Sequence, residues 1–137
     1  MPVRRTDVRA LVVVAAASGV YDILLGAALL GGRELLQSLF QLPAPAPPIH
    51  ADLNGIFLLA VGIGYVLPCR RPDLYRGYLW VMGPFLKGTG SLVFVVDHFV
   101  RHSPPAFLVF AVADGTLALL TLWALMKTRA GLKPSSD

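Results

Sequence analysis

Three ionisable residues, Asp22, Lys87 and Asp114, stand where charge is costly. Each is flanked by apolar sequence on both sides, as GVYDILLG, PFLKGTG and AVADGTL. An Asp or Lys at the centre of a membrane-crossing helix costs about 2.5–3.5 kcal/mol, so three unpaired ones would oppose insertion by roughly 8–10 kcal/mol. They are therefore expected to meet. Two carboxylates facing one ammonium leave an odd negative charge, and a proton shared over the carboxylate pair is the expected state. Such a set can lock three helices in register, or it can hold a proton or a small ligand. Tyr21, Asn54, Tyr65 and Ser91 are the candidate hydrogen-bonding neighbours, with Asn54 nearer the outer surface, at the mouth of the site.

The elements that must position these residues follow from hydropathy. The chain has 137 residues, 55% apolar and 15% charged, against about 25% charged in soluble domains. The deficit is concentrated in four blocks at about 10–30, 51–67, 77–98 and 104–126. A bilayer core of about 30 Å takes roughly 17–25 apolar residues as a helix, which all four blocks satisfy. The second block is the shortest and begins with Asp52 and Asn54. Away from the block ends, Asp22, Lys87 and Asp114 are the only charged residues. This composition excludes a disordered chain, a secreted disulfide scaffold and an ordinary soluble domain. One all-α transmembrane domain over residues 1–137 is expected, with short links that make neighbouring spans antiparallel in an up-down-up-down four-helix bundle.

Depth and helical face both bring the three charges together. Asp22 lies 12 residues into its block, Lys87 ten into the third, and Asp114 12 before the end of the fourth. At about 1.5 Å per residue all three sit roughly 15–18 Å deep. Ala15, Ser18, Asp22 and Gly26 share one stripe; Gly83, Lys87 and Gly90 a second; Ala111, Asp114, Ala118 and Thr121 a third. Ten of the 13 glycines fall inside the blocks, where small residues let helices approach closely. Pro84 removes a helical hydrogen bond one turn before Lys87 and predicts a kink there.

Orientation is read from Lys and Arg. Arg4, Arg5 and Arg9, then Arg70, Arg71 and Arg76, then Lys127, Arg129 and Lys133 fall on one side, against Arg33 and Arg101 on the other. Basic flanks are retained in the cytoplasm, which puts both termini there. The net charge of +4 is thus a retention signal with affinity for anionic lipid, and no nucleic-acid partner is required. Ala15-Ala16-Ala17 imitates a secretory cleavage site, but the apolar run continues to Leu30, so an uncleaved first span is expected.

The links carry weaker signals. Glu34–Leu42 has Leu35, Leu36, Leu39 and Phe40 on one face and predicts a short helix lying in the outer interface. PAPAPP, Pro43 to Pro48, predicts an extended strap. Pro68 is expected to end the second span, and Ser103 to cap a fourth helix beginning at Pro104. Asp97, His98 and His102 gather near the external end of span three, with His50 and Asp52 on the same side. A solvated helix end explains them better than a metal site, since the helix should stop between the two histidines. Cys69 is a lone free thiol at the cytoplasmic edge. Trp80, Trp123, Tyr75 and Tyr78 read as an interfacial belt. No Gly-rich phosphate loop, Ser-His-Asp set, CxxC pair or HExxH occurs, so no enzymatic activity is read from motif.

The segments Tyr21-Asp22-Ile23-Leu24-Leu25-Gly26, Leu86-Lys87-Gly88 and Ala113-Asp114-Gly115 together resemble a pattern in small bacterial four-span membrane proteins, similar in size and architecture to the DoxX-like and BphX-like groups. The resemblance implies a bacterial inner-membrane location and makes the three charges shared family features. Some DoxX-related proteins are partner subunits in quinone-dependent sulfur oxidation, which implies quinone as a possible cofactor, although no residue here matches that activity individually. Three functions remain open: a binding or accessory subunit whose Asp/Lys/Asp pocket takes a small molecule, lipid or proton; a quinone-linked oxidoreductase subunit; and a structural scaffold. A tight bundle would favour the scaffold, and a cavity beside Lys87 would favour binding.

Overall fold

The computed structural model describes residues 5–129, and all regular structure among them is helical. The elements are α1 (Arg5–Gly31), α2 (Arg33–Phe40), α3 (Ile49–Gly64), α4 (Val66–Arg70), α5 (Arg76–Trp80), a π-helix (Val81–Lys87), α6 (Gly88–Arg101) and α7 (Phe107–Arg129). Several of these run on from one another, giving four helical units long and apolar enough to cross a membrane: Thr6–Gly31, Ile49–Arg70, Arg76–Arg101 and Phe107–Thr128. Their outward faces carry Leu24, Phe85, Leu92, Val93, Val112 and Leu119, all exposed. An apolar exterior with its backbone hydrogen bonds closed inside helices is what a bilayer demands.

Three local expectations are corrected. Pro68 does not end the second unit; it is buried in α4, and the helix continues to Arg70. The cost appears one turn earlier. Without an N–H, Pro68 leaves the Gly64 carbonyl without its helical donor, and the turn that separates α3 from α4 falls at Tyr65. Pro84, where a kink is expected, lies within a π-helix. The wider turn relieves the clash between the proline ring and the preceding carbonyl. The fourth helix begins at Phe107, not Pro104, after a tight turn in which Phe107 and Leu108 N–H groups bond to the Pro104 and Pro105 carbonyls. Ser103 caps nothing: its hydroxyl has no partner, and its carbonyl accepts from His98 Nδ1 at 2.8 Å. As expected, α6 stops at Arg101, with His102 left-handed at its end.

The units pack in the order α3, α1, α7, α6. α1 contacts α3 along one side and α7 along another, and α7 packs in turn on the π-helix and α6. Glycines make the first contact close. A Cβ on Gly62 would lie 2.8 Å from the Gly19 carbonyl, and one on Gly26 would lie 2.7 Å from the Gly55 carbonyl. The apolar core, Leu11, Ala15, Val61, Tyr65, Leu79, Ala124 and Leu125, gathers toward the end holding the two termini of the described chain. That end is also fastened by hydrogen bonds, from Arg76 to the Leu125 carbonyl at 2.9 Å and to the Thr128 hydroxyl at 2.7 Å. Cys69 sits nearby as a half-buried free thiol, its Sγ 3.9 Å from the Val12 carbonyl. Arg9, Arg70, Arg71, Arg76 and Lys127 ring this end, while Arg4 and Lys133 lie outside the described residues.

Candidate functional site

Asp22 on α1, Lys87 at the end of the π-helix and Asp114 on α7 converge inside the protein. Lys87 Nζ donates to Asp22 Oδ1 at 2.5 Å and to Asp114 Oδ1 at 3.3 Å. Asp22 is 1% exposed and Lys87 4%, whereas the Asp114 side chain keeps 17%. The stripes read from spacing carry this convergence. Ala15, Ser18 and Gly26 are buried with Asp22, Gly83 with Lys87, and Ala111, Ala118 and Thr121 around Asp114. Gly83 is what brings the third unit close enough, because a Cβ there would stand 2.5 Å from the Thr121 methyl.

The charges form one end of a cavity of about 220 Å³. Its walls are apolar and partly aromatic, including Leu25, Phe57, Leu58, Leu86, Phe94 and Phe110, and its polar groups are Tyr21, Asp22, Asn54, Lys87 and Asp114. The space exists because α3 and α6, the two ends of the packing order, share no extended backbone contact. Toward the terminal end α3 meets α5 instead. There Tyr78 donates to the Val61 carbonyl at 2.5 Å and stands edge-on to Tyr65, ring centroids 5.3 Å apart. Gly64 makes room for that crossing, since a Cβ on it would collide with the Tyr78 hydroxyl.

Asn54 is exposed and lines two cavities at once. The second, about 240 Å³, is bounded by Arg33, Leu36 and Gln37, by Pro43 and Pro45 of the strap, and by His50 and Phe107. Arg33, on its lining, forms a salt bridge with Asp52. The site thus approaches the surface on the strap side, while Tyr65, Tyr78 and Leu79 belong to the apolar core at the other end.

Of the residues singled out from sequence, Asp22, Lys87, Asp114, Tyr21 and Asn54 are brought to one cavity. The Tyr21 ring lies under Lys87 Nζ, 4.8 Å from centroid to nitrogen. Tyr65 and Ser91 do not line that cavity. Tyr65 is buried in the apolar core, edge-on to Tyr78. Ser91 donates to the Ala111 carbonyl at 2.7 Å and packs against Gly115, a joint between α6 and α7. Tyr78 is not a belt residue but the bridge between α3 and α5. Trp123 remains near the terminal end with Lys127 Nζ over its ring at 4.3 Å. Asp97 is engaged by Arg101 at 3.0 Å, and among the described residues no three His, Cys, Asp or Glu side chains converge as a metal set.

Sequence reasoning missed the cavity walls Phe57, Phe94 and Phe110. Nothing in their spacing separates a wall from a lipid-facing ring. It also missed the Arg33–Asp52 and Arg76–Thr128 contacts, because both arginines were accounted for by orientation alone. In comparisons with known proteins, no family model, no curated protein and no solved structure matches the chain.

Proposed function

We propose that this chain is a multi-pass protein of a bacterial inner membrane, a binding or accessory subunit whose Asp22/Lys87/Asp114 pocket holds a small molecule, lipid or proton. The observation that carries this reading is the cavity beside the buried triad. A triad that served only as a lock would be best packed on every side, since each void at a buried ion pair forfeits contacts. Here one flank of the triad is packed, at Gly83 and Thr121, and the other is open. The π-helix ends on Lys87, and such insertions recur at functional sites.

The four units are then an up-down-up-down bundle with both termini in the cytoplasm, the basic residues of the terminal end setting that orientation. α2 lies in the outer interface, with exposed Leu35 and Leu39 toward lipid and Phe40 against Phe110, ring centroids 5.5 Å apart. The resemblance to DoxX-like and BphX-like proteins agrees with this size, topology and location. Reporter fusions at the C-terminus test the orientation: a fluorescent protein should light up, and a periplasmic phosphatase should stay inactive.

The pocket is tested by native mass spectrometry of the protein released from lipid nanodiscs. One non-protein mass per chain is expected, absent when Gly90→Leu fills the cavity. A bare wild-type chain that also fails to take up added lipid or quinone would leave the structural scaffold as the better reading. A mass identified as a quinone would turn the conclusion to a redox-linked subunit.

A further inference from the structure

Resting on the pocket reading above, we infer that the cavity selects a small organic cation, an ammonium head carrying N–H donors on a compact aromatic or aliphatic body. The ion balance comes first. The lining holds two carboxylates and one ammonium, so its formal sum with all three ionised is one negative charge. Lys87 is committed unevenly, 2.5 Å from Asp22 and 3.3 Å from Asp114. With all three ionised the surplus falls on Asp114, the most exposed of the three side chains, and a bound cation there would take the place of the proton otherwise shared over the carboxylates.

The hydrogen-bond balance points the same way. Asp22 Oδ2 is buried with no partner, and so is the Tyr21 hydroxyl. A carboxylate oxygen only accepts, so Asp22 Oδ2 calls for a donor, while the Tyr21 hydroxyl can give or take a hydrogen bond. An unsatisfied carboxylate oxygen in an apolar setting is costly. A ligand that brings N–H groups and a positive charge supplies a donor and the balancing charge together.

Other ligand classes fit less well. An anion would meet two carboxylates, and the one ammonium is already engaged by both. A neutral apolar molecule fills the space but leaves Asp22 Oδ2 and the net charge as they are. Hard metal ions require about six oxygen ligands, more than Asp22, Asp114 and Asn54 can converge around an intervening Lys87. The rest of the lining suits an organic body. Phe57, Phe94, Phe110 and Tyr21 present aromatic surface, which attracts ammonium groups, and Tyr21 already serves Lys87 in that way. The volume of about 220 Å³ exceeds the roughly 150 Å³ that admits benzene, so a single substituted ring fits.

The experiment is a fluorine-NMR titration of the detergent-solubilised full chain with 4-fluorobenzylammonium and, separately, with its neutral counterpart 4-fluorobenzyl alcohol. Saturable binding of the ammonium is expected, at least tenfold tighter than of the alcohol. Asp114→Asn keeps the shape and the Asp22–Lys87 pair while removing the surplus charge, and should weaken the ammonium at least tenfold, bringing it level with the alcohol. Gly90→Leu keeps every charge and should abolish both, which guards against an Asp114→Asn protein that does not fold. Equal binding of ammonium and alcohol by the wild type would overturn the charge argument while leaving the pocket intact. Undiminished ammonium binding by folded Asp114→Asn would also overturn it. Saturable binding of neither probe, with no copurified mass, would remove the pocket reading itself.

Discussion

α3 has two neighbours, and they meet it in opposite ways. Toward α1 it presents Gly55 and Gly62 to Gly26 and Gly19, and the two backbones approach until no Cβ fits between them. Toward α6 it presents Phe57 and Asn54 across an open cavity, with Tyr78 of α5 bridging to α3 at one end. Both sides are apolar overall, so hydrophobicity does not separate them. In lipid, apolar burial gives little drive to associate, and backbone proximity with interhelical hydrogen bonds decides. A side where glycines are matched seven residues apart becomes a joint. A side with large rings and a single hydroxyl bridge becomes a gap, and the charged triad lies where joint and gap meet.

The largest effect should come from removing the ion that ties the third unit to α1. Lys87→Met leaves Asp22 buried without its cation and should destabilise the protein by about 3–5 kcal/mol. Unfolding by SDS titration, followed by circular dichroism, measures it. Adding Asp22→Leu should recover much of that loss, because replacing both members of a buried pair is far cheaper than orphaning one. If the single and double variants were equally unstable, the packing of Lys87 rather than its charge would hold the units together.

The joint itself comes next. In Gly62→Ala the added methyl would stand 2.7 Å from the Ile23 side chain and 2.8 Å from the Gly19 carbonyl. The helices must part, at about 1–3 kcal/mol. A smaller loss, about 0.5–1.5 kcal/mol, is expected for Tyr78→Phe, which deletes one interhelical hydrogen bond and little volume. If the Tyr78 bridge is what limits the gap, this variant should also raise the rate of maleimide labelling of a cysteine placed at Phe57 in a Cys69→Ala background.

Much of the joint and little of the gap is legible in the sequence. The stripe Ala15, Ser18, Asp22 and Gly26 could be read because a helix that buries polar and small residues has few ways to place them. For the same reason the meeting of Asp22, Lys87 and Asp114 followed from depth and face. Tyr65 and Ser91 do not line the cavity, because a hydroxyl near a charge in sequence register can as well serve its own joint, Ser91 to the Ala111 carbonyl. Pro68 was read as the end of its span and Pro84 as a kink, yet helices in close company redistribute the lost bond. The gap was not legible because it is made by what fails to touch, and Phe57 looks the same whether it faces lipid, a cavity or a neighbour.

The smallest expected effect separates the two sides of the molecule most cleanly. Gly90 lies on the same unit as Gly83, two turns further along, and both were read as packing glycines on one stripe with Lys87. At Gly83 a Cβ would be 2.5 Å from Thr121, but at Gly90 the nearest atom is Asp114 Oδ2 at 4.0 Å, an ordinary contact. Gly83→Ala should therefore behave like Gly62→Ala. Gly90→Ala should be neutral or stabilising by up to about 1 kcal/mol, since alanine is the better helix former and nothing must move. The same SDS titration checks both. A marked loss at Gly90 would mean that α6 closes on α3 in the membrane and that the cavity beside Asp114 is not held open; a gain would show that the glycine is not needed for packing, which leaves access to Asp114 as its physical role.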